Sequence, residues 1–485
     1  MQYESNLKSV RKHKVPNWFH DAKLGIFIHW GLYSVPAFAP IEYGSIGETI
    51  KKGGWKFHYK NNPYAEWYLN TLKIKDSPTQ KYHIETYGED FSYDDFVPIF
   101  NKAIEKWDPN KMADLFKKIG ARYVVLGTKH HDGFLLWHSK YSNPNKKNYF
   151  AKRNIVEELT RAVKERGMRM GLYYSGAFDW TFNETPIQDL SSSFTNGPTK
   201  PEYAEYVNNH WRELIDLYEP SILWNDIGYP PETNVYELFA YFYNKIADGL
   251  INDRWTQTNK KMREMFKSKE FIDSITEISI RMFTDDSLDM PKPPHYDVRT
   301  PEYTTSKKIS KDKFECCRGI GNSFGYNRME GEKEYLPENE LIRMFIDIVS
   351  KNGNLLLNVG PMADGSIPEM QVQRLLGLGR WLEINGEAIF GTRPWVRAEG
   401  ETDNGINIRF TQKKDSLYVI LLDTPKSKKI TIKSLIIDQK ASIHLLGYNS
   451  ILSWKQKGEH LEITFTKKLE VGPAYTLRIK PKPIE

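Results

Sequence analysis

The sequence predicts a (β/α)8-like barrel of the TIM type followed by a C-terminal antiparallel β-sandwich. Three observations predict it. Apolar runs end abruptly in polar, chemistry-bearing residues, as in Ser221-Ile222-Leu223-Trp224-Asn225-Asp226. Those runs alternate with amphipathic helical stripes, which implies a parallel sheet with crossover helices. After Gly391-Thr392-Arg393-Pro394 the pattern changes to period two, broken by turn residues, which is the pattern of antiparallel strands. A closed barrel is preferred over a doubly wound sheet because the polar tips recur on several strands. A barrel gathers such tips on one face. A doubly wound nucleotide-binding sheet would instead need a glycine-rich turn opening a helix. Gly319-Ile320-Gly321 comes late and opens none.

Taken in order, Leu24–Gly31 reads as a first buried strand ending in His29 and Trp30. Residues 32–95 read as a long irregular connection, of the length expected of a functional loop. Met112, Leu115, Phe116 and Ile119 share a helical face that Gly120 closes. Tyr123–His131 is the next strand. Ile155, Leu159, Ala162 and Val163 form a second stripe before the strand Arg169–Ser175. A helix over 202–218 leads to the strand ending in Asp226, and a helix over 236–248 leads to Leu250–Trp255. Residues 256–300 show no clear period and read as an insertion between barrel strands. Order resumes at Pro301-Glu302-Tyr303 and at Gly321–Asn327. A helix over 338–350, the strand Asn354–Pro361 and a helix over 368–384 complete the barrel. The expected boundaries are 1–394 for the barrel and 395–485 for the sandwich.

Composition narrows the function. Of 485 residues, 68 are Lys or Arg and 62 Asp or Glu, a net charge of +6 with the signs interspersed, so nucleic acid is not an expected partner. The 2 cysteines, Cys316 and Cys317, are adjacent and form no disulfide framework. No apolar run is long enough for a bilayer and Met1–Ser5 lacks an apolar signal core, so no membrane partner and a cytoplasmic setting are expected. The 13 Trp and 28 Tyr suit a carbohydrate-facing cleft, although a large core with amphipathic aromatics at its rim accounts for most of them.

If the tips converge, one pocket receives His29, His130, His131, Tyr173, Asp226 and Arg254, joined by Glu302 and Phe324. Two carboxylates on different strands, several hydrogen-bonding groups and aromatic faces are what glycoside hydrolysis needs. Each residue also has a plainer reading. Asp226 alone suits a helix cap, and His130-His131 suits a strand end with one ring in and one out. Glu66 and Trp67 suit a solvated acid beside a core aromatic. A metal site on His29, His130 and Asp226 ranks below these, because the usual His-x-His or His-x-x-x-His spacing is missing. Neither a metal nor a cofactor is expected.

These segments together resemble the retaining α-L-fucosidases of glycoside hydrolase family 29. The resemblance rests on Phe27–Gly31, Glu66-Trp67-Tyr68, Lys129–Phe134, Tyr173-Tyr174-Ser175, Trp224-Asn225-Asp226, Asn252-Asp253-Arg254, Phe314–Cys317, Ser323–Asn327 and Asn354–Pro361. It implies a barrel followed by a sandwich, and fucosylated glycans or glycosides as substrates. It implies Asp226 as nucleophile, with His29, Glu66, Trp67, His130, His131, Tyr173 and Arg254 around the fucose and Trp224 and Phe324 as apolar walls. It points to Glu302 as acid/base, with Glu315 as rival and otherwise a binding residue. A metal-dependent barrel hydrolase and a fucose-binding protein without catalysis stay as alternatives. Association into a homo-oligomer is left open.

Overall fold

Seven apolar segments become parallel strands: β1 (Leu24–Ile28), β2 (Tyr123–Lys129), β3 (Arg169–Ser175), β4 (Ile222–Asp226), β5 (Leu250–Ile251), β6 (Phe314–Gly319) and β7 (Gly353–Val359). In this computed structural model, which describes residues 2–231, 233–284, 293–449 and 451–483, they form one sheet in the order β5-β4-β3-β2-β1-β7-β6. Almost every strand residue is buried, as expected where both faces of a parallel sheet are covered.

Residues 297–303 close the gap between β5 and β6. The N–H groups of Asp297 and Val298 each donate to the Ile251 carbonyl at 3.2 Å. On the other side Glu315 N–H donates to Arg299 O at 2.8 Å and Cys317 N–H to Pro301 O at 3.0 Å. This eighth stave is irregular because Pro301 has no N–H to contribute. It completes a (β/α)8-like barrel.

The crossover helices cover the outside: Pro109–Lys118, Ile155–Glu165, Pro201–Tyr218, Val235–Lys245, Glu338–Ser350 and Glu369–Asn385. The first shows why they form. The Asp108 side chain accepts from the N–H groups of Asn110 and Lys111 at 2.9 and 3.2 Å; Met112, Ala113 and Phe116 face the sheet; Gly120, at φ +87°, ends the element.

Three readings are corrected. Residues 32–95 are not irregular: they hold the helices Ile46–Lys60, Tyr68–Leu72 and Pro78–Tyr87. The insertion carries two helices, Lys260–Lys267 and Lys269–Thr284, in the stretch where the sequence shows no clear period. Gly321–Asn327 is a loop, and the strand lies before it as β6.

The C-terminal part forms two antiparallel sheets from β8 (Arg393–Glu401), β9 (Asn407–Lys413), β10 (Ser416–Leu421), β11 (Lys429–Ile432), β12 (Ser442–Leu445), β13 (Ser453–Lys457), β14 (His460–Thr464) and β15 (Tyr475–Lys480). The orders are β12-β15-β10-β9-β8 and β11-β14-β13. Phe410, Val419 and Leu477 of the first meet Ile430 and Ile463 of the second in one apolar cluster. The other face of the first sheet lends Tyr418 and Ile420 to the barrel's own cluster. Asp347, on the helix before β7, accepts Arg409 of β9 across that junction.

Candidate active site

The C-terminal tips of the strands converge on one mouth. Asp226 ends β4 and is 8% exposed. Both of its carboxylate oxygens are occupied. Oδ2 accepts the Tyr173 hydroxyl of β3 at 2.9 Å, and Oδ1 accepts Nη1 of Arg254, just after β5, at 2.9 Å. The other guanidinium nitrogen, Nη2, lies 3.2 Å from Oε2 of Glu302 on the irregular stave. One arginine thus bridges two carboxylates from different walls. Its plane lies 4.7 Å from the Trp224 ring centroid, and the Cys317 thiol touches it from below at 3.5 Å. Tyr64 donates its hydroxyl to the second oxygen of Glu302 at 2.7 Å.

The opposite side of the mouth is built from rings. His29 follows β1, and its Nδ1 lies 2.7 Å from Oδ1 of Asn358. The Asn358 amide nitrogen donates to Phe324 O at 2.7 Å, so its oxygen faces the imidazole. Nδ1 of His29 therefore carries the proton and Nε2 is an acceptor. Burial pulls the His29 pKa down to about 4, so the ring is neutral at pH 7. His131 follows the same logic. The Ser175 hydroxyl donates to Phe178 O at 2.8 Å, so at 2.6 Å it accepts from Nδ1–H of His131. Burial holds His130 and His131 well below the usual imidazole range.

The turn Ala65–Trp67 brings in Glu66 and Trp67. Glu66 Oε2 accepts the Gly325 N–H at 2.7 Å, and burial raises its pKa to about 7. Trp67 meets the His131 ring edge-on at 5.2 Å. Tyr173 stacks on Trp224 with centroids 5.5 Å apart, and Phe324 packs 5.0 Å from His29. Beneath the His130–His131 turn lies the fully buried ion pair Lys129–Asp179 at 2.8 Å. Tyr174 and Tyr203 offer ring faces to the ammonium.

A mouth with two carboxylates, neutral imidazole acceptors and ring walls suits a sugar, and comparison with known proteins agrees. Residues 1–387 match the family model described as alpha-L-fucosidase, and residues 402–480 match that of the alpha-L-fucosidase C-terminal domain. The chain belongs to the α-L-fucosidase family. It is therefore a glycoside hydrolase, and its substrates are α-L-fucosylated. It is 32% identical over 459 residues to the α-L-fucosidase of Dictyostelium discoideum, covering 92% of this chain and 86% of that protein. It is 32% identical to the human plasma α-L-fucosidase over 484 residues, covering 95% and 88%. The Thermotoga maritima α-fucosidase in complex with fucose superposes with a TM-score of 0.82 at 41% identity, covering 99% of this chain and 100% of that one.

Within this fucosidase fold, eleven of the twelve residues singled out from the sequence meet at the mouth: His29, Glu66, Trp67, His130, His131, Tyr173, Trp224, Asp226, Arg254, Glu302 and Phe324. Glu315 lies elsewhere. It sits on β6 one layer below Cys317, 2% exposed, and accepts the Tyr123 hydroxyl and the Trp224 indole N–H under the floor of the mouth. Burial pushes it up to about 7. Among the described residues no group of His, Cys, Asp and Glu is clustered to hold a metal ion.

Three residues escaped the sequence reading. Tyr64 holds Glu302, Asn358 sets the proton of His29, and Ser175 sets that of His131. Ser175 ends β3 and Asn358 is the last residue but one of β7, close to the positional signal that singled out Asp226. Tyr64 had only its closeness to Glu66.

Proposed function

We propose that the chain is an exo-acting, retaining α-L-fucosidase working by double displacement. The observation that carries this reading is the single guanidinium shared by Asp226 and Glu302. A retaining site needs two carboxyl groups roughly 5–5.5 Å apart, and one fork holding both is the simplest way to keep them close.

Terminal α-L-fucose enters with its hydroxyls toward His29, His131 and Glu66. A carboxylate oxygen of Asp226 attacks the anomeric carbon. The bond from that carbon to the leaving oxygen breaks, and Glu302 gives its proton to that oxygen. Water then attacks the same carbon, returns a proton to Glu302, and expels Asp226 to release L-fucose. Arg254 and Tyr173 steady the Asp226 anion before attack and after departure. Glu315 has no part in this sequence, because Trp224 lies between it and the mouth.

Asp226→Gly is expected to abolish turnover. Added azide should restore release and yield the inverted β-fucosyl azide. Recovery of the α-azide would give Asp226 the acid/base role instead. Loss of activity on chelation would favour a metal-dependent hydrolase, and fucose binding without cleavage of an activated aryl fucoside would favour a binding protein. The reading also includes a barrel unit over 1–394, a sandwich over 395–485 and a cytoplasmic enzyme. Two buried free thiols, Cys316 and Cys317, support a reducing compartment.

A further inference from the structure

The ladder between β4 and β5 stops at the pair Leu223–Ile251. Beyond it, three consecutive side chains hold the tips together. Asn252 reaches back to β4: its Oδ1 accepts the Asn225 N–H at 3.1 Å and its Nδ2 donates to the Asn225 carbonyl at 2.8 Å. The Asn225 side chain answers by donating to the carbonyls of Arg254 and Gly228, both at 2.8 Å. Arg254 grips the two carboxylates. Asp253 points the other way, and the sequence of hydrolysis above gives it no role. Its Oδ1 accepts both the N–H and the hydroxyl of Thr300, at 3.0 and 2.6 Å.

Thr300 lies two residues before Glu302, on the stave that Pro301 interrupts. Its carbonyl accepts Nη2 of Arg254 at 3.1 Å, and its hydroxyl oxygen accepts Nε of the same arginine at 3.2 Å. The backbone that carries Glu302 is thus tied to the β5 tip through Asp253 and Arg254. We propose that Asp253 is the positioning residue for the acid/base carboxylate. By fixing Thr300 it sets how far Glu302 stands from Asp226, while touching neither substrate nor reacting atoms. Asn225 and Asn252 do the same for the Asp226 side, so Asn252-Asp253-Arg254 acts as a spacer between the two groups. A displacement of about 1 Å at such a site costs on the order of a hundredfold in rate.

This inference rests on Glu302 being the acid/base, and leaving-group dependence tests it. An alkyl α-L-fucoside needs its leaving oxygen protonated, whereas an activated nitrophenyl α-L-fucoside does not. Rates are normalised to fucose-binding protein, so that a reduced folded fraction cancels. Asp253→Ala should lower kcat/KM on the alkyl substrate by about thirtyfold or more, and on the activated one by about threefold or less. Asp253→Asn keeps the Oδ1 acceptor and should restore the alkyl substrate to within a few-fold of the parent. Asp253→Glu, one methylene longer, should show the same split to a smaller degree, and decides the matter if the Ala variant does not fold. Equal losses on both substrates, or an Asn variant as impaired as Ala, would overturn the proposal. Failure of the underlying assignment looks different: Glu302→Ala would then lose the same factor on both substrates.

Discussion

Asn358 decides the proton of His29, and with it what the imidazole offers a sugar. Its amide is oriented by Phe324 O, so the ring must donate through Nδ1 and accept through Nε2. Asn358→Leu removes that constraint without touching the mouth. Inhibition by free fucose is expected to weaken about tenfold, the size of one lost hydrogen bond of roughly 1–1.5 kcal/mol. An unchanged inhibition constant would remove His29 from the glycone site. Glu315 gives a second test at this scale. Its folded pKa of about 7 lies above the ordinary 4.5 because it is buried. Between those values the folded chain holds a proton that the unfolded chain has lost, so this group's contribution to stability falls as pH rises from about 4.5 to 7. Above that window the buried anion costs about 3 kcal/mol. Glu315→Gln removes the ionisation. The melting temperature of the variant minus that of the parent should therefore increase between pH 5 and pH 8. A constant difference would contradict the burial argument.

At the scale of elements, the insertion between Arg254 and Glu302 joins two residues of the site and leans on two other walls. Trp55 of the helix Ile46–Lys60 donates its indole N–H to Ser279 at 2.8 Å, and Phe194 stacks on Phe266 at 3.8 Å. Arg263, the buried residue of the first insertion helix, donates to Gly197 O at 2.9 Å and to Thr258 O at 3.1 Å. Arg263→Ala is expected to cost about 1–3 kcal/mol locally. It should speed proteolytic cleavage within 260–284 while leaving hydrolysis of a small aryl fucoside near the parental rate. A large loss on that substrate would make the insertion part of the glycone site.

The elements also show what the sequence made legible. β3, β4 and the helix Glu338–Ser350 were readable because burial on one or both faces writes an unbroken run or a clean stripe. β6 was not readable as a strand. Its inward residues include Glu315 and its outward ones Arg318, so neither an apolar run nor a simple alternation survives. The insertion helices were hidden for the opposite reason: they bury little, so no apolar face stands out cleanly from a polar one. The candidate site was legible wherever a polar residue ended an apolar run. Tyr64 ends no such run, and only the folded chain brings it to Glu302.

For the whole molecule, the question is whether the sandwich is an appendage. Tyr418, Ile420 and Ala474 are buried in the same cluster as the barrel helices. Asp347 pairs with Arg409, and Lys351 reaches Glu399 at 2.9 Å. Stripping residues 395–485 would uncover that apolar face. The shortened chain is expected to aggregate or to melt well below the full one in scanning calorimetry, even though every residue of the mouth remains. A truncated chain with parental melting and turnover would make the two parts independent. Among the described residues no helix is long and apolar enough to cross a membrane.

The barrel has a seam. Seven staves are stitched by main-chain ladders; the eighth is stitched the same way to β6, but its main chain meets β5 only at the Ile251 carbonyl, where side chains and one shared arginine do the rest. Extra chain can be spliced into such a wall without unpicking any ladder, and here some forty residues have been. The same gap is where a protein engineer would graft new loops, because chain added between the β5 tip and the eighth stave leaves the seven-strand ladder untouched.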